Sequence, residues 1–283
     1  MAKGKKGREE TPQELVKVGQ DGAAPAWLAT HAEEDTSIDS LAEHRVLPRL
    51  KIIQQMTDVT MREALGEGSV ILQPGEVRVV TRDESFEFVP VFFFTEFLEM
   101  SDLKDTGSPM ILERSFDASS ELAKMARDPD QWERGYGTQN EKGNYQFTAR
   151  RCETLNFVGF ICGGDAPAEL NGVPVTLIFS RGEFTKGRAF ITAITMRRIG
   201  SSVAPLWSQR WEFTPNMREK GGNAWYGLDF ANAQQPYIDE DLADFMRSAH
   251  EEFKGLHESK ALVVDHEEPG DAPPQDDGED VEL

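Results

Sequence analysis

The sequence predicts a mainly β protein with a few helices. Most of its apolar segments are short, rich in Val, Ile, Thr and Phe, and separated by Gly and Pro, which is typical of strands joined by turns. Only the segment Asp239–Lys260 carries a long apolar stripe at helical spacing. With 283 residues, 39% of them hydrophobic, the chain is long enough to bury a core. These observations favour a Greek-key barrel or a strongly curved antiparallel sheet with a C-terminal amphipathic helix.

The formal net charge of −20 is unevenly distributed along the chain. Residues 134–226 carry 12 Lys/Arg against 7 Asp/Glu, whereas residues 1–133 carry 15 against 26. The last 19 residues, from Asp265, contain nine acidic residues and no Lys or Arg. The total charge therefore hides a basic middle within an acidic chain.

Composition divides the chain into four segments. Residues 1–46 are rich in Gly, Ala, Glu, Lys and Asp without periodicity, which predicts a disordered N-terminal arm. Residues 47–238 predict the β-rich domain and residues 239–260 the C-terminal helix. Residues 261–283 predict an acidic, disordered tail. The charged N-terminus is not followed by the apolar stretch of a secretory signal.

The N-terminal part of the domain is expected to contribute four strands. Three short strands are predicted at Leu50–Met56, Val70–Leu72 and Val77–Thr81, separated by Gly and Pro. The next segment, FEFVPVFFFTEFL, is apolar on both alternating faces. Such a pattern is typical of a central strand that is covered on both sides. The segment is also too short and too polar to span a bilayer.

The next part of the chain is predicted to alternate strands with one short helix. Asp117 is expected to cap a helix at Ser119–Arg127. Gln131–Tyr145 contains three glycines and is expected to be a polar loop. Strands are predicted on either side of these segments, at Met110–Phe116, Tyr145–Arg150 and Thr154–Ile161.

A cationic hairpin is predicted in the basic middle. Val175–Phe179 and Ala189–Thr195 have the composition of strands, and Ser180–Arg188 forms the polar connection between them. Gly182 and Gly187 are expected to supply turn geometry. The connection also contains an aromatic residue among three cations, Phe184 with Arg181, Lys186 and Arg188.

Aromatic residues are frequent in the last part of the domain. A strand is predicted at Leu206–Thr214, and its alternation puts Trp207, Trp211 and Phe213 on one face, opposite Arg210. Lys220–Phe230 is expected to be a Gly-rich aromatic loop before the C-terminal helix.

No motif of a known enzyme class is present in the sequence. It contains no phosphate-binding loop, nucleophile elbow or dinucleotide fingerprint. His250 and His257 are seven residues apart on one predicted helix, but no third metal ligand is near them in the sequence. Cys152 and Cys162 are expected to be free thiols in a reducing compartment. We therefore predict no enzyme, no metal and no cofactor.

Single-stranded DNA binding is the function that the basic middle favours. Proteins that hold single strands without reading their sequence combine a cationic groove with aromatic side chains that stack on bases. Core packing is the alternative for each aromatic residue and is favoured for Trp211 and Phe213. A solvated surface position is the alternative for each arginine. The candidate site residues are Arg150, Arg151, Arg181, Phe184, Lys186, Arg188, Arg197, Arg198, Trp207, Arg210, Lys220, Trp225 and Tyr226.

The chain resembles the single-stranded DNA-binding proteins of tailed bacteriophages. The resemblance covers about Leu47–Leu283 and rests on LPRLKIIQQM, EFVPVFFF, PVTLIFSRGEFTKGRAFI, PLWSQRWEFT and the terminal DDGEDVEL. It implies an oligonucleotide-binding (OB-like) barrel and an acidic tail that contacts replication or recombination proteins. The tail residues that would make these contacts are Asp276, Asp277, Glu279, Asp280 and Glu282. The chain departs from several such proteins in ending on Leu283 rather than on an aromatic residue.

The resemblance implies a phage protein in the cytoplasm of an infected bacterium, with no membrane partner. Three other classes remain open at this point: a phage structural or assembly protein, a DNA-mimicking inhibitor, and an enzyme without a known motif. The sequence does not decide the oligomeric state, and a homo-oligomer stays open.

Overall fold

The computed structural model describes residues 46–102, 110–220 and 222–264, which all belong to one compact unit. Residues 1–45 of the predicted N-terminal arm (1–46) and residues 265–283 of the predicted tail (261–283) lie outside these ranges. The remaining residues of both segments are ordered, since Val46 pairs with Val263 in a short parallel ladder. Within the described ranges, no helix has both the length and the apolar character needed to cross a membrane.

A ten-stranded sheet forms the body of the structure. Two short strand pairs lie outside it: β1 (Val46–Leu47) pairs with β14 (Val263–Val264), and β10 (Arg198–Ile199) pairs with β11 (Ser202–Val203). The strands of the sheet are β2 (Arg49–Ile52), β3 (Val70–Gln73), β4 (Val77–Val80), β5 (Phe86–Asp102), β6 (Ile111–Ser115), β7 (Glu133–Gln139), β8 (Tyr145–Gly164), β9 (Pro174–Ser180), β12 (Gln209–Lys220) and β13 (Asn223–Tyr237).

The sheet is almost entirely antiparallel. Eight of its strands are hydrogen-bonded in the order β13-β12-β5-β8-β9-β2-β3-β4, while β6 pairs with β5 and β7 pairs with β8. The one parallel pairing joins β2 to β9. Among the described residues, the end strands β13 and β4 do not pair with each other, so the sheet is not closed into a barrel.

The sheet is nevertheless strongly curved. Five strand spacings separate β13 from β2, which would be about 24 Å in a flat sheet. Gln54, two residues after the end of β2, bridges this separation with its side-chain amide. Its Nε2 donates to the Tyr226 carbonyl at 2.8 Å, and its Oε1 accepts from the Tyr226 N–H at 2.8 Å. The mainly β class and the curved antiparallel sheet that the sequence predicts are thus confirmed.

Four α-helices accompany the sheet in the described part of the chain. They are α1 (Val59–Leu65), α2 (Glu121–Arg127), α3 (Phe184–Met196) and α4 (Ala243–Glu258). Helix α3 covers the inner face of the sheet, where residues of both ends of the sheet join one core cluster. Helix α4 covers the outer face with Met246, Ala249 and Phe253. The predicted C-terminal helix is therefore present and packs on the sheet.

Strand β5 is buried on both of its faces, as its sequence predicts. Phe86 and Phe88 belong to the inner core, whereas Val89 and Val91 belong to the outer core. Two irregularities in the pairing with β8, at Glu87/Phe88 and Pro90/Phe92, adjust the alternation along the strand. The central position of β5 between β12 and β8 explains why it needs apolar residues on both sides.

The predicted cationic hairpin is wrong in its second half. Val175–Phe179 lies within β9, but Ala189–Thr195 is part of helix α3 rather than a strand. The Ile, Thr and Phe content favours a strand locally. Burial of Gly187, Phe190 and Ile194 follows helical spacing instead, and packing on the sheet overrides the local preference.

Three other predicted boundaries also change. The expected polar loop Gln131–Tyr145 contains β7, which pairs with β8. The two strands expected between Tyr145 and Ile161 are one continuous strand, β8. The expected loop Lys220–Phe230 belongs largely to the β12–β13 hairpin. Each segment owes its strand structure to ladder hydrogen bonds with a distant partner, which composition does not reveal.

Helix α2 matches the predicted short helix, with a different cap. The Ser120 hydroxyl accepts from the Ala123 N–H at 3.1 Å and so caps the helix. Asp117 instead accepts from the Ser119 N–H at 2.8 Å in the preceding turn. Leu122, Ala123 and Ala126 pack on Phe97 of β5.

We expect Phe190→Ala to lower the free energy of unfolding by about 3–5 kcal/mol, because the Phe190 side chain is fully buried against the inner face. Phe245→Ala is the matched control, since Phe245 on α4 is 50% exposed, and it should cost about 1 kcal/mol. Urea denaturation of the full-length variants measures both values. Equal losses for the two variants would contradict the central role of Phe190.

Candidate nucleic-acid interface

A cleft of about 970 Å³ opens between the first half of α3, strands β5 and β8, and the α2–β7 region. Five arginines line it: Arg127, Arg150, Arg151, Arg181 and Arg188. Three aromatic residues line it as well: Phe93, Trp132 and Phe184. The acidic residues of its wall are Glu133 and Glu153. Five of the thirteen candidate residues from the sequence are therefore brought together here, namely Arg150, Arg151, Arg181, Phe184 and Arg188.

Helix α3 and the turn before it present one stripe of residues to the cleft. Arg181, Phe184, Arg188 and Ile191 recur every three or four positions, and all four line the cleft. This spacing puts side chains on one face of a helix. The two cations and the aromatic ring that the sequence places close together are thus also close together in the fold, on a helix rather than at a hairpin tip.

Gly187 allows this helix to lie directly on the sheet. A Cβ atom at Gly187 would come within 2.6 Å of the Phe179 Cβ and 2.9 Å of the Leu155 Cδ1. Gly187 is therefore a packing residue, not the turn residue that the sequence predicts. Its close contact with β9 and β8 fixes the height of Phe184 and Arg188 above the cleft floor.

Arg151 forms an ion pair with a buried carboxylate. Its Nε lies 2.6 Å from Oε2 of Glu99, which is 2% exposed and also binds Arg134. Burial raises the pKa of Glu99, but hydrogen bonds from Arg134 and Arg151 outweigh this effect, so the pKa lies below its usual value. Arg151 also donates to the Gln131 carbonyl at 3.0 Å. Removing Arg151 would leave a buried charge poorly compensated, so its main role is structural.

Arg127 also forms an ion pair with a carboxylate of the sheet. Its guanidinium donates to both carboxylate oxygens of Glu153, at 3.1 and 2.9 Å. It also lies over the Phe97 ring, 4.7 Å from the centroid. The hydrogen bonds from Arg127 to Glu153 and the contact with Phe97 tie helix α2 to strands β8 and β5.

The other three arginines of the cleft differ in their partners. The Arg150 Nε lies 3.5 Å from Glu133 Oε1, and the two side chains are 47% and 74% exposed, where an ion pair contributes little. Arg181 is exposed and forms no ion pair with any other residue that the structure describes. Arg188 is exposed and its side chain has no hydrogen bond or ion pair with any other residue that the structure describes. The side chains of Arg181 and Arg188 can therefore bind an anion without first breaking an ion pair with another described residue.

The aromatic residues of the cleft differ in exposure. Trp132 is 49% exposed and its indole N–H donates to the Ala126 carbonyl at 2.8 Å, which fixes the ring. Phe184 and Phe93 are half-buried and pack against the inner core. Trp132, Phe93 and Arg127 also line the cleft but are not among the candidate residues that the sequence predicts. Of these three residues, only Trp132 could have been recognised from the sequence, because it is a large apolar residue in a segment expected to be a polar loop.

Lys186 and Trp225 are drawn into a network beside the cleft. The Lys186 Nζ lies 2.5 Å from the Asp229 Oδ1, and the Trp225 indole N–H donates to Glu183 at 3.0 Å. Arg218 links both carboxylates. Burial raises the pKa of Asp229, but Lys186, Asn216 and Arg218 outweigh it and the pKa is lowered. The network joins the start of α3 to the β12–β13 hairpin.

Arg197 and Arg210 lie at the other end of α3 and hold structural positions. The Arg197 guanidinium lies 3.8 Å from the centroid of the Trp211 ring and donates to the Arg210 and Pro236 carbonyls. Burial lowers the pKa of Arg197. Arg210 is paired with Glu87 and Asp239, at 3.5 Å each.

The remaining candidates also lie away from the cleft. Arg198 is exposed and donates to the Ser201 carbonyl. Trp207 lies in a short 3₁₀ turn and packs against the outer core. The backbone of Tyr226 is hydrogen-bonded to the Gln54 side chain across the curved sheet. The side chain of Lys220 lies outside the described part of the structure, as do the acidic tail residues. Trp211 and Phe213 are buried, as predicted.

Both cysteines are free thiols, and neither is activated. Burial raises the pKa of Cys152, although Arg181 opposes the shift. Burial raises the pKa of Cys162 to about 12. Since the thiolate is the nucleophile, neither thiol suits covalent chemistry near neutral pH. Residues 46–102, 110–220 and 222–264 contain no group of three His, Cys, Asp or Glu side chains that could hold a metal ion.

Comparisons with known proteins place the chain in one family. No curated protein and no solved structure matches it. The family described as Pam3 phage gp34-like protein matches residues 17–259, which is most of the chain. The chain therefore belongs to the Pam3 phage gp34-like protein family and is a phage protein.

Proposed function

We propose that this phage protein binds single-stranded DNA without reading its sequence and acts in phage DNA replication or recombination. The observation that supports this most is the composition of the cleft. Two exposed arginines that form no ion pair with another described residue, Arg181 and Arg188, share it with the rings of Phe184 and Trp132. Arginine binds phosphate oxygens, and aromatic rings stack on any base. Together they match the two chemical parts of a nucleic-acid strand.

The floor of the cleft favours a single strand over a duplex. Phe93, Leu155 and Ile191 provide apolar surface between the walls. The bases of a duplex are stacked and paired inside the helix, so their faces cannot reach such a floor. The bases of a single strand can turn towards it while their phosphates stay at the arginines.

The lining also favours binding without sequence readout. Base edges are read most often by bidentate Asn, Gln or Arg. The cleft is lined by no Asn or Gln among the described residues, and two of its arginines are occupied by buried or half-buried carboxylates. Stacking and phosphate contacts carry little sequence information, so affinity would depend on strand length more than on sequence.

The proposed site is smaller than the set of candidates that the sequence provides. Lys186, Arg197 and Arg210 have partners in the fold and are assigned to stability. The acidic residues Asp276, Asp277, Glu279, Asp280 and Glu282 are assigned to contacts with replication or recombination proteins, on the resemblance and on the charge of the segment. A phage structural protein is the main rival, and the experiments below separate the two.

Replacing Arg188 with Ala should flatten the salt dependence of single-strand binding. One lost phosphate contact lowers the slope of log K against log salt by about 0.7. Arg198→Ala is the matched control, because Arg198 is also exposed and does not line the cleft. Fluorescence anisotropy of a labelled oligo(dT) across a salt series measures both slopes. If Arg198→Ala changes the slope as much as Arg188→Ala does, the cleft is not the binding site.

Phe184→Ala should weaken binding without changing the salt slope. Loss of one stacked base costs about 1–3 kcal/mol, which is roughly 5- to 150-fold in affinity, and stacking releases few ions. Phe245→Ala on the opposite side of the sheet should leave affinity unchanged. The same anisotropy series measures both quantities, with thermal unfolding as a check on folding. An affinity equal to that of the unmodified protein would remove Phe184 from the site.

Deleting residues 265–283 should tighten single-strand binding several-fold at low salt. The segment carries nine acidic residues, and tethering gives it an effective concentration of about millimolar near the cleft. DNA must displace this competing charge, and salt screens the competition, so the gain should fade above about 0.2 M salt. A structural protein would show no response of DNA affinity to the deletion, and a DNA mimic would lose inhibition without gaining affinity.

A further inference from the structure

Arg181 adopts a backbone conformation that normally belongs to glycine. Its φ is 48°, in the left-handed region, at the junction between β9 and α3. A side chain with a Cβ atom is destabilised in this region, because the Cβ crowds the following carbonyl oxygen. Residues with a strained backbone are often found at functional sites. The strain at Arg181 therefore suggests a functional role, since the chain has a glycine at the neighbouring position.

A glycine stands at the next position, where the conformation does not require it. The φ of Gly182 lies outside the left-handed range. A Cβ atom at Gly182 would meet the Trp225 ring at no less than 3.7 Å, an ordinary contact. Residue 182 is therefore a glycine although a side chain would be tolerated there. Residue 181 is an arginine although glycine would adopt its backbone conformation without strain.

The position of the Arg181 side chain indicates why an arginine occupies this strained position. Arg181 lines the cleft and is exposed. Because the direction of the Cα–Cβ bond depends on the backbone angles, relaxing the backbone would turn the guanidinium away from this position.

We propose that Arg181 is the anion-anchoring residue of the cleft and that its left-handed backbone aims its guanidinium there. The ligand group is a phosphate, from a nucleic-acid strand or from a free polyphosphate. The identification of that strand as single-stranded DNA rests on the proposed function. The assignment of Arg181 to phosphate binding does not rest on the proposed function, since a guanidinium binds phosphate oxygens from either source.

The experiment replaces Arg181 with Gly and compares stability with binding. Arg181→Gly should raise the melting temperature by about 2 °C, since the strained backbone relaxes. It should lower affinity for labelled oligo(dT) about tenfold and flatten the salt slope by about 0.7, the share of one phosphate contact. A gain in stability together with a loss of binding is the signature of a residue kept for its ligand.

The chain contains two matched controls. Glu76 and Lys260 are the other described non-glycine residues with positive φ, at 51° and 61°, and neither lines the cleft. Glu76→Gly and Lys260→Gly should raise the melting temperature as Arg181→Gly does and leave binding unchanged.

The outcomes distinguish a failure of the anion-anchoring role of Arg181 from a failure of the proposed DNA-binding function. Inorganic tripolyphosphate is the second probe, measured by its effect on the melting temperature of each variant. If tripolyphosphate stabilises the unmodified protein but not Arg181→Gly, while oligo(dT) does not bind, the anchor stands and the DNA function fails. If oligo(dT) binds Arg181→Gly as tightly and as salt-dependently as the unmodified protein, the DNA function stands and the anchor is wrong. A lower melting temperature for Arg181→Gly would also overturn the proposal, because the residue would then be structural.

Discussion

The packing of Phe190 against the inner face of the sheet is the interaction on which the rest of the structure depends. Its ring lies 4.9–6.1 Å from the rings of Phe157, Phe179, Trp211, Phe213 and Phe230, which come from β8, β9, β12 and β13. One side chain of α3 therefore touches both sides of the curved sheet. Aromatic pairs at such separations add to the stabilisation that burial provides. With Phe190 fixed, and with Gly187 in direct contact with β9 and β8, the outward stripe of α3 has a defined position over the cleft.

The arginines of the cleft divide into two groups that differ in their partners. Arg127 and Arg151 satisfy carboxylates that the sheet holds in place, and Glu99 is nearly inaccessible to water. Such pairs fix the α2–β7 region on β8, because a buried carboxylate without its partner is costly. Arg181 and Arg188 face the same space and form no ion pair with another described residue. The paired arginines Arg127 and Arg151 stabilise the wall of the cleft, and Arg181 and Arg188 supply positive charge that a phosphate would meet.

The charge distribution of the fold agrees with this division. The outer helix α4 begins after Asp239, Glu240 and Asp241 and carries further acidic residues on its exposed side. The cleft lies on the side of the sheet that α3 covers, whereas α4 covers the opposite side. An acidic protein with a cationic cleft repels nucleic acid over most of its surface and attracts it at one place, which favours one orientation of encounter. The membership in a phage family is compatible with this use, and the family description names no activity.

The sequence by itself determined the mainly β class, the two-faced central strand β5, the buried Trp211 and Phe213, and the C-terminal helix, because each depends on a local pattern of apolar residues. It also determined that cations and aromatic residues collect between residues 134 and 226. Only the tertiary structure decided that Ala189–Thr195 is a helix, since the sheet buries Phe190 and Ile194 against local strand propensity. Only the tertiary structure separated Arg181 and Arg188 from Lys186 and Arg197, because ion pairs and ring contacts with residues distant in sequence occupy the latter two. Composition counts charges, whereas the fold decides which of them are already paired.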